Sequence, residues 1–139
     1  MKIAVLPNLD KRGSSDVVDK LGSILQNEGI EAYLPENIKA DGFINLHEDK
    51  LYKTADLIIT IGGDGTIIRY AKRAALDDKP VLGINAGRVG YLANIEQNEL
   101  SLLSKLKKKE YFVEKRMMLY ALAPSQTMPP VVAIAFATV

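Results

Sequence analysis

Residues 57–66 read LIITIGGDGT, an apolar, β-branched run that breaks into three glycines within four residues. The first half has the composition of a buried strand. The second half lets the backbone come close to a ligand and turns N–H groups inward. A helical stretch is predicted next, from Ile67 to about Leu76, and its positive end faces the same turn. Strand, glycine turn and helix together make a phosphate site, and an open parallel sheet places such a site at the carboxyl ends of its strands. Asp64 is the residue that does not belong in an anion cradle. A carboxylate there repels phosphates unless it holds a metal or accepts a proton from an attacking hydroxyl. Aspartate and glycine also suit a plain tight turn, so spacing alone leaves a structural role open.

Elsewhere the chain alternates strands with helices. Lys2–Leu6 is a buried-type strand ended by Pro7-Asn8. Ser14 or Ser15 can cap a helix running to about Glu28, with Val17, Val18, Leu21, Ile24 and Leu25 on one face. Gly29 follows where a helix end wants a left-handed residue. Ile30–Leu34 is a weaker strand stopped by Pro35. Residues 36–54 show no clean period and are predicted as loop with a short helix near His47–Tyr52. Val81–Ile84 is another buried strand, and Glu96–Lys109 reads as an amphipathic helix with Leu100, Leu103 and Leu106 as its stripe. Its closing lysines, Lys105 and Lys107 to Lys109, are a solvated helix end.

This alternation predicts an α/β fold, an open, mainly parallel sheet with helices on both faces, over residues 1–112. Past that point Phe112-Val113, Met117–Ala121 and Val131–Val139 are predicted strands with no helices between them. They are expected to begin a β-rich second domain over residues 113–139. The tail is low in charge and β-prone, so its strands are expected to pack back onto the α/β domain or to pair with another copy.

Of the 139 residues, 47% are hydrophobic and 25% charged, which suits a globular domain with a core and excludes a disordered chain. Lys and Arg number 18 against 17 Asp and Glu, a net charge of +1, which argues against nucleic acid or a membrane surface as partner. The absence of cysteine excludes disulfides and thiol catalysis. Met1–Leu6 has no charged leader or cleavage site and Val131–Val139 is too short to span a bilayer, so a cytoplasmic location is expected. Neither G-x-x-x-x-G-K-[ST] nor a G-x-G-x-x-G after the first strand occurs, which disfavours P-loop NTPases and Rossmann dehydrogenases.

A second glycine-bearing loop, Gly83 to Leu92, follows another strand. Asn85, Gly87 and Gly90 are expected to line the cleft of the first loop, with Tyr91 as an aromatic wall, unless Tyr91-Leu92 is simply core. Arg88 can reach a phosphate bidentately, although plain surface exposure is an equal alternative. His47, the single histidine, is expected as an exposed loop residue, and Asp77-Asp78 as a turn. No residue is assigned as a metal ligand.

Gly62-Gly63-Asp64-Gly65-Thr66 and the later Gly83-x-Asn85-x-Gly87-x-x-Gly90-Tyr91-Leu92 resemble the paired GGDGT and G-x-N-x-G-x-x-G-F-L motifs of NAD kinases. Arg116-Met117-Met118-Leu119 is similar to the family's R-x-M-L stretch. GGDGT alone is shared with diacylglycerol kinases and, as GGDGS, with phosphofructokinases; the second motif narrows the choice. The resemblance implies transfer of a phosphoryl group from ATP or inorganic polyphosphate, with Mg²⁺, to the 2′-hydroxyl of NAD's adenosine ribose. It implies Asp64 as the catalytic base. Gly62, Gly63, Gly65, Thr66, Asn85, Gly87, Arg88 and Tyr91 would bind nucleotide, Tyr91 standing where the family has a phenylalanine near the adenine. Homo-oligomers are usual in the family.

A complete member is considerably longer, with an Asn-Asp or Asn-Glu pair in a closing β-rich domain. No such pair follows Arg116, where Ala135-Phe136 stand instead, so this chain on its own is expected to show no NAD phosphorylation. The alternatives are a nucleotide-binding module without turnover and a GGDGT-type lipid or sugar kinase.

Overall fold

The computed structural model describes residues 1–87, 90–117 and 134–138. Its order is β1 (Lys2–Pro7), α1 (Ser14–Asn27), β2 (Glu31–Pro35), β3 (Ile44–Leu46), α2 (Glu48–Thr54), β4 (Leu57–Gly62), α3 (Asp64–Leu76) and β5 (Val81–Asn85). A 3₁₀ helix (Gln97–Leu103), α4 (Ser104–Lys107), β6 (Phe112–Arg116) and β7 (Ile134–Thr138) follow. Among the described residues the strands form one seven-stranded sheet in the order β3-β2-β1-β4-β5-β7-β6. All pairings are parallel except β6 with β7.

The central strands are apolar on both faces because both faces are covered. Ile3 and Val5 of β1, with Leu57, Ile59 and Ile61 of β4, pack against Val17, Leu21 and Leu25 of α1 and against Leu100, Leu103 and Leu106. The alternate residues Ala4, Leu6 and Ile58 meet Leu51 and Tyr52 of α2 and Ile67, Ala71 and Ala74 of α3. The predicted two-sided α/β architecture is what the chain forms.

Several local expectations change. α1 is preceded by Gly13 in a left-handed conformation (φ 88°), without a side-chain cap. Ser14 is its first residue, and its buried hydroxyl has no partner among the described residues. The other end is as expected: Gly29 has φ 64°, its N–H donates to the Gln26 carbonyl and that of Ile30 to the Leu25 carbonyl. That is the Schellman closure of a helix.

The predicted α-helix over residues 96–109 is instead mostly 3₁₀. Leu100, Leu103 and Leu106 are spaced by three, which is the 3₁₀ period, and all three are buried. β3 lies in the stretch expected as loop; it has three residues at a sheet edge, too short for a period to show. In the tail, Met117 falls outside any strand and residues 118–121 lie outside the described ones, as do 131–133 and 139 of the last predicted strand. β7 runs beside β5 through Val81 and Phe136, and β6 pairs along β7 from Phe112↔Thr138 to Arg116↔Ile134. No described helix is long and apolar enough to cross a membrane.

Two positions give stability predictions. A Cβ on Gly22 would run into the Asp41 carbonyl and stand 2.8 Å from the Phe43 ring, so α1 touches the 41–43 turn backbone to backbone. Gly22→Ala is expected to destabilise by about 1–3 kcal/mol in urea unfolding; an unchanged midpoint would show that the turn yields. Tyr52 is 1% exposed, and its hydroxyl has no partner among the described residues. Burial first, then the Glu48 carboxylate, push that hydroxyl above the ordinary tyrosine range. The folded chain therefore holds this proton more tightly than the unfolded one, and the stability involved is lost as pH rises above about 10. Tyr52→Phe is expected to be as stable at neutral pH and to lose less above pH ~10. A variant with the wild-type alkaline profile would contradict this.

Candidate functional site

β4 ends at Gly62 and α3 begins at Asp64, three residues before the predicted start. The GGDGT segment therefore runs from the last strand residue, Gly62, through the helix cap, Gly63, into the first turn of the helix at Asp64–Thr66. The helix start is set by the Gly63 carbonyl, which accepts the N–H groups of Thr66 at 2.9 Å and Ile67 at 3.1 Å. Asp64 thus sits where a carboxylate is favoured by the positive helix end.

The three glycines serve different ends. A Cβ on Gly62 would stand 2.6 Å from Thr66 Oγ1 and 2.7 Å from its Cβ, so Gly62 lets strand and helix close on each other. Gly63 and Gly65 have no atom within 4 Å of where a Cβ would lie. Gly63 is extended (φ −98°) and Gly65 helical, so neither needs to be glycine for its conformation. What their lack of a side chain leaves is room, on the open side of the turn. The N–H groups of Gly63, Asp64 and Gly65 have no acceptor among the described residues, as expected at a helix start.

A cleft of about 630 Å³ opens at the carboxyl ends of β1, β2 and β4. This is where chain order reverses, β2 lying on one side of β1 and β4 on the other. Such a reversal is where open α/β sheets take ligands. Gly63 to Thr66 form one wall, the Asn8–Lys11 loop another, and Arg69 and Tyr70 of α3 a third. Asn8 Nδ2 donates to Thr66 Oγ1 at 3.2 Å, tying the loop after β1 to the glycine turn. Arg69 lies over the Tyr70 ring, 5.4 Å from its centroid, and burial raises the Tyr70 hydroxyl above its usual range. Lys11 and Arg69 supply positive charge, Asp10, Glu48 and Asp64 negative. Sequence reasoning missed Asn8, Lys11, Arg69 and Tyr70. The available signal was a polar loop leaving the first buried strand at the same sheet end as the glycine turn.

The second glycine loop adjoins the first. Asn85 is in register with Gly62, and the Ala86 N–H donates to the Gly62 carbonyl at 3.2 Å. Asp64 takes the Tyr91 N–H on Oδ2 at 2.9 Å and the Leu92 N–H on Oδ1 at 3.1 Å. A Cβ on Gly90 would stand 2.8 Å from Asp64 Cγ, so this segment wraps the carboxylate. The Tyr91 ring is 96% exposed, and Leu92 is the member of the pair that packs on the core.

Asn85 is 1% exposed. Its Nδ2 donates to both Glu96 carboxylate oxygens at 3.1 Å, and its Oδ1 accepts the Gly87 N–H at 3.1 Å. The structure thus brings Gly62 to Thr66, Asn85, Gly87 and Tyr91 to one end of the sheet. The walls of the cleft come from Gly63 to Thr66 and from the β1 and β2 side, whereas Asn85 is engaged with its own chain. Arg88 lies outside the described residues. Each Asp64 oxygen accepts one N–H and keeps a further lone pair, so the carboxylate can still accept a proton or meet a cation.

Residues 3–111 match the family model of the ATP-NAD kinase N-terminal domain. The chain is 38% identical over 124 residues to an NAD kinase of Caldanaerobacter subterraneus, covering 86% of this chain and 44% of that one. It is 35% identical over 123 residues to an NAD kinase of Natranaerobius thermophilus, covering 86% and 43%. In fold it is similar to yeast NADH kinase solved in complex with NADH, with a TM-score of 0.67 and 15% identity over 84% of this chain and 38% of that one. The chain spans less than half the length of the curated relatives it matches.

Proposed function

The chain belongs to the NAD kinase family, and on that premise we propose that the protein carrying it phosphorylates the 2′-hydroxyl of NAD's adenosine ribose, with ATP or polyphosphate as donor. One observation supports the reading most: Asp64 is held between two glycines whose open sides face a cleft, Gly63 and Gly65. On this reading the unpaired N–H groups of the first turn of α3 bind phosphate oxygens, with Lys11 and Arg69 as cations beside them. Asp64 takes the proton of the attacking ribose hydroxyl, its orientation fixed by Tyr91 and Leu92.

Mg²⁺, when bound, screens the donor phosphates. Asp10, Glu48 and Asp64 line the cleft without clustering into a three-residue metal site among the described residues, so the cation would be held chiefly by the donor phosphates. The exposed Tyr91 is available to stack on the adenine; the family resemblance adds Arg88 as a phosphate partner. Residues 113–139 lead on this reading into a β-rich second domain, and the protein works in the cytoplasm as a homo-oligomer, without nucleic acid or membrane.

Thermal unfolding of the chain with NAD, NADP, ATP, a sugar phosphate and a diacylglycerol tests the reading. A rise in Tm with NAD and NADP at millimolar concentration is expected, since ligands that bind only the folded state stabilise it by mass action. A rise with the sugar phosphate or the lipid alone would overturn it.

A further inference from the structure

We infer that Glu96 is a positioning residue for Asp64, acting through Asn85 and the second glycine loop. This rests on the reading of Asp64 as the proton acceptor. The loop leaves the sheet at Asn85 and returns beside the strand it left: the Asn85 N–H donates to the Ile95 carbonyl at 2.8 Å, and that of Ile95 to the Gly83 carbonyl at 3.1 Å. A Cβ on Gly83 would stand 3.2 Å from Ala93 Cα, so the returning segment lies hard against β5.

Glu96 closes this base. Its backbone is fixed by Glu99, whose carboxylate accepts the Glu96 N–H at 3.0 Å, while its own side chain reaches across to Asn85. Asn85 is buried, so its amide hydrogens need an acceptor within the chain. A carboxylate is a strong one. With Nδ2 held there, Oδ1 is aimed at the Gly87 N–H, which sets how the loop departs. At its far end the same loop delivers the Tyr91 and Leu92 N–H groups to Asp64. Without the carboxylate of Glu96 the Asn85 amide can rotate away from Gly87, and the Tyr91 and Leu92 N–H groups lose their aim on Asp64.

Hydrogen exchange of the ¹⁵N-labelled chain reads this directly. Glu96→Ala is expected to speed exchange at Tyr91 and Leu92 by about tenfold, the loss of one hydrogen bond's worth of local stability, with Ile59 and Ile84 unchanged. Glu96→Gln keeps a neutral oxygen acceptor and is expected to fall between wild type and Glu96→Ala. Unchanged protection at Tyr91 and Leu92 in Glu96→Ala overturns the inference, as does equal acceleration at Ile59, which would make Glu96 a contributor to global stability only. Should Glu96→Ala not fold, Glu96→Gln decides: faster exchange confined to Tyr91 and Leu92 supports the inference, and wild-type protection overturns it.

In the protein carrying this chain, Glu96→Ala is expected to lower kcat for NAD phosphorylation with little change in KM; a rise in KM alone overturns the link to Asp64. Wild-type protein that phosphorylates no NAD would instead defeat the functional reading, and the exchange result would still stand or fall by itself.

Discussion

Asp64→Asn is expected to lower NAD phosphorylation by about 10²–10⁴-fold, the usual cost of removing a general base. The measurement needs turnover, so it belongs in the protein that carries this chain, or in a chimera where residues 3–111 replace the matching domain of the Caldanaerobacter kinase. Asparagine is the demanding substitution. It keeps the size and the helix-start preference, but offers one acceptor oxygen where Asp64 uses two, for Tyr91 and Leu92. The loop is therefore expected to loosen somewhat while Tm changes little. Full activity in Asp64→Asn would show that the carboxylate only tethers the loop. Loss of activity with the Leu92 amide still protected would assign the loss to the missing base.

Replacing Gly63 and Gly65 together by alanine is expected to move stability and binding in opposite directions. Neither added methyl meets any atom. Gly65 is helical, where alanine is better by about 1 kcal/mol, and Gly63 has an extended backbone that alanine adopts without strain. The double variant should unfold later than wild type. Both methyls would stand where phosphate oxygens must approach the bare N–H groups. Losing two hydrogen bonds to a charged ligand, at about 1.5–3 kcal/mol each, would weaken NAD or ATP binding by about 10²–10⁴-fold. Titration calorimetry beside a melt reads both. Unaltered affinity would place the ligand elsewhere.

These glycines show how far the residue string could be read. The cluster of three predicts close backbone approach at all of them, whereas Gly62 is needed for packing against Thr66 and the other two leave empty space. Only neighbours brought in by folding separate those roles. The strands were legible because Ile3 to Leu6 and, apart from Thr60, Leu57 to Ile61 are apolar at every position, the mark of a sheet covered on both faces. β3 was not, since at a sheet edge of three residues its Ile44 is half exposed. Asn45 serves there as a side-chain brace, donating to the Pro35 and Ile38 carbonyls.

The start of α3 was misplaced because Gly-Gly-Asp-Gly reads locally as a turn, although a helix can begin in such residues when its N–H groups have another use. Leu100, Leu103 and Leu106 gave the right buried face and the wrong helix, because a stripe of three residues fits both periods. Arg69 and Lys11 reach the cleft through long-range topology, which no local pattern reports.

The order of strands in the sheet bears on how the chain is made. β1 is synthesised before the other described strands, yet it lies third, between β2 and β4. Among the described strands every pairing but one is parallel, so none of those can zip up from a tight turn, and each waits for its crossover to be complete. On a ribosome, β2 arrives early, but the other side of β1 has no partner until Leu57–Gly62 has emerged. In that interval Ile3 to Leu6 present an apolar strand with an open edge, the kind of surface that chains use to find each other. Nascent chains stopped at Thr54 should therefore be held by chaperones or aggregate, and those extended past Asn85 should be released soluble.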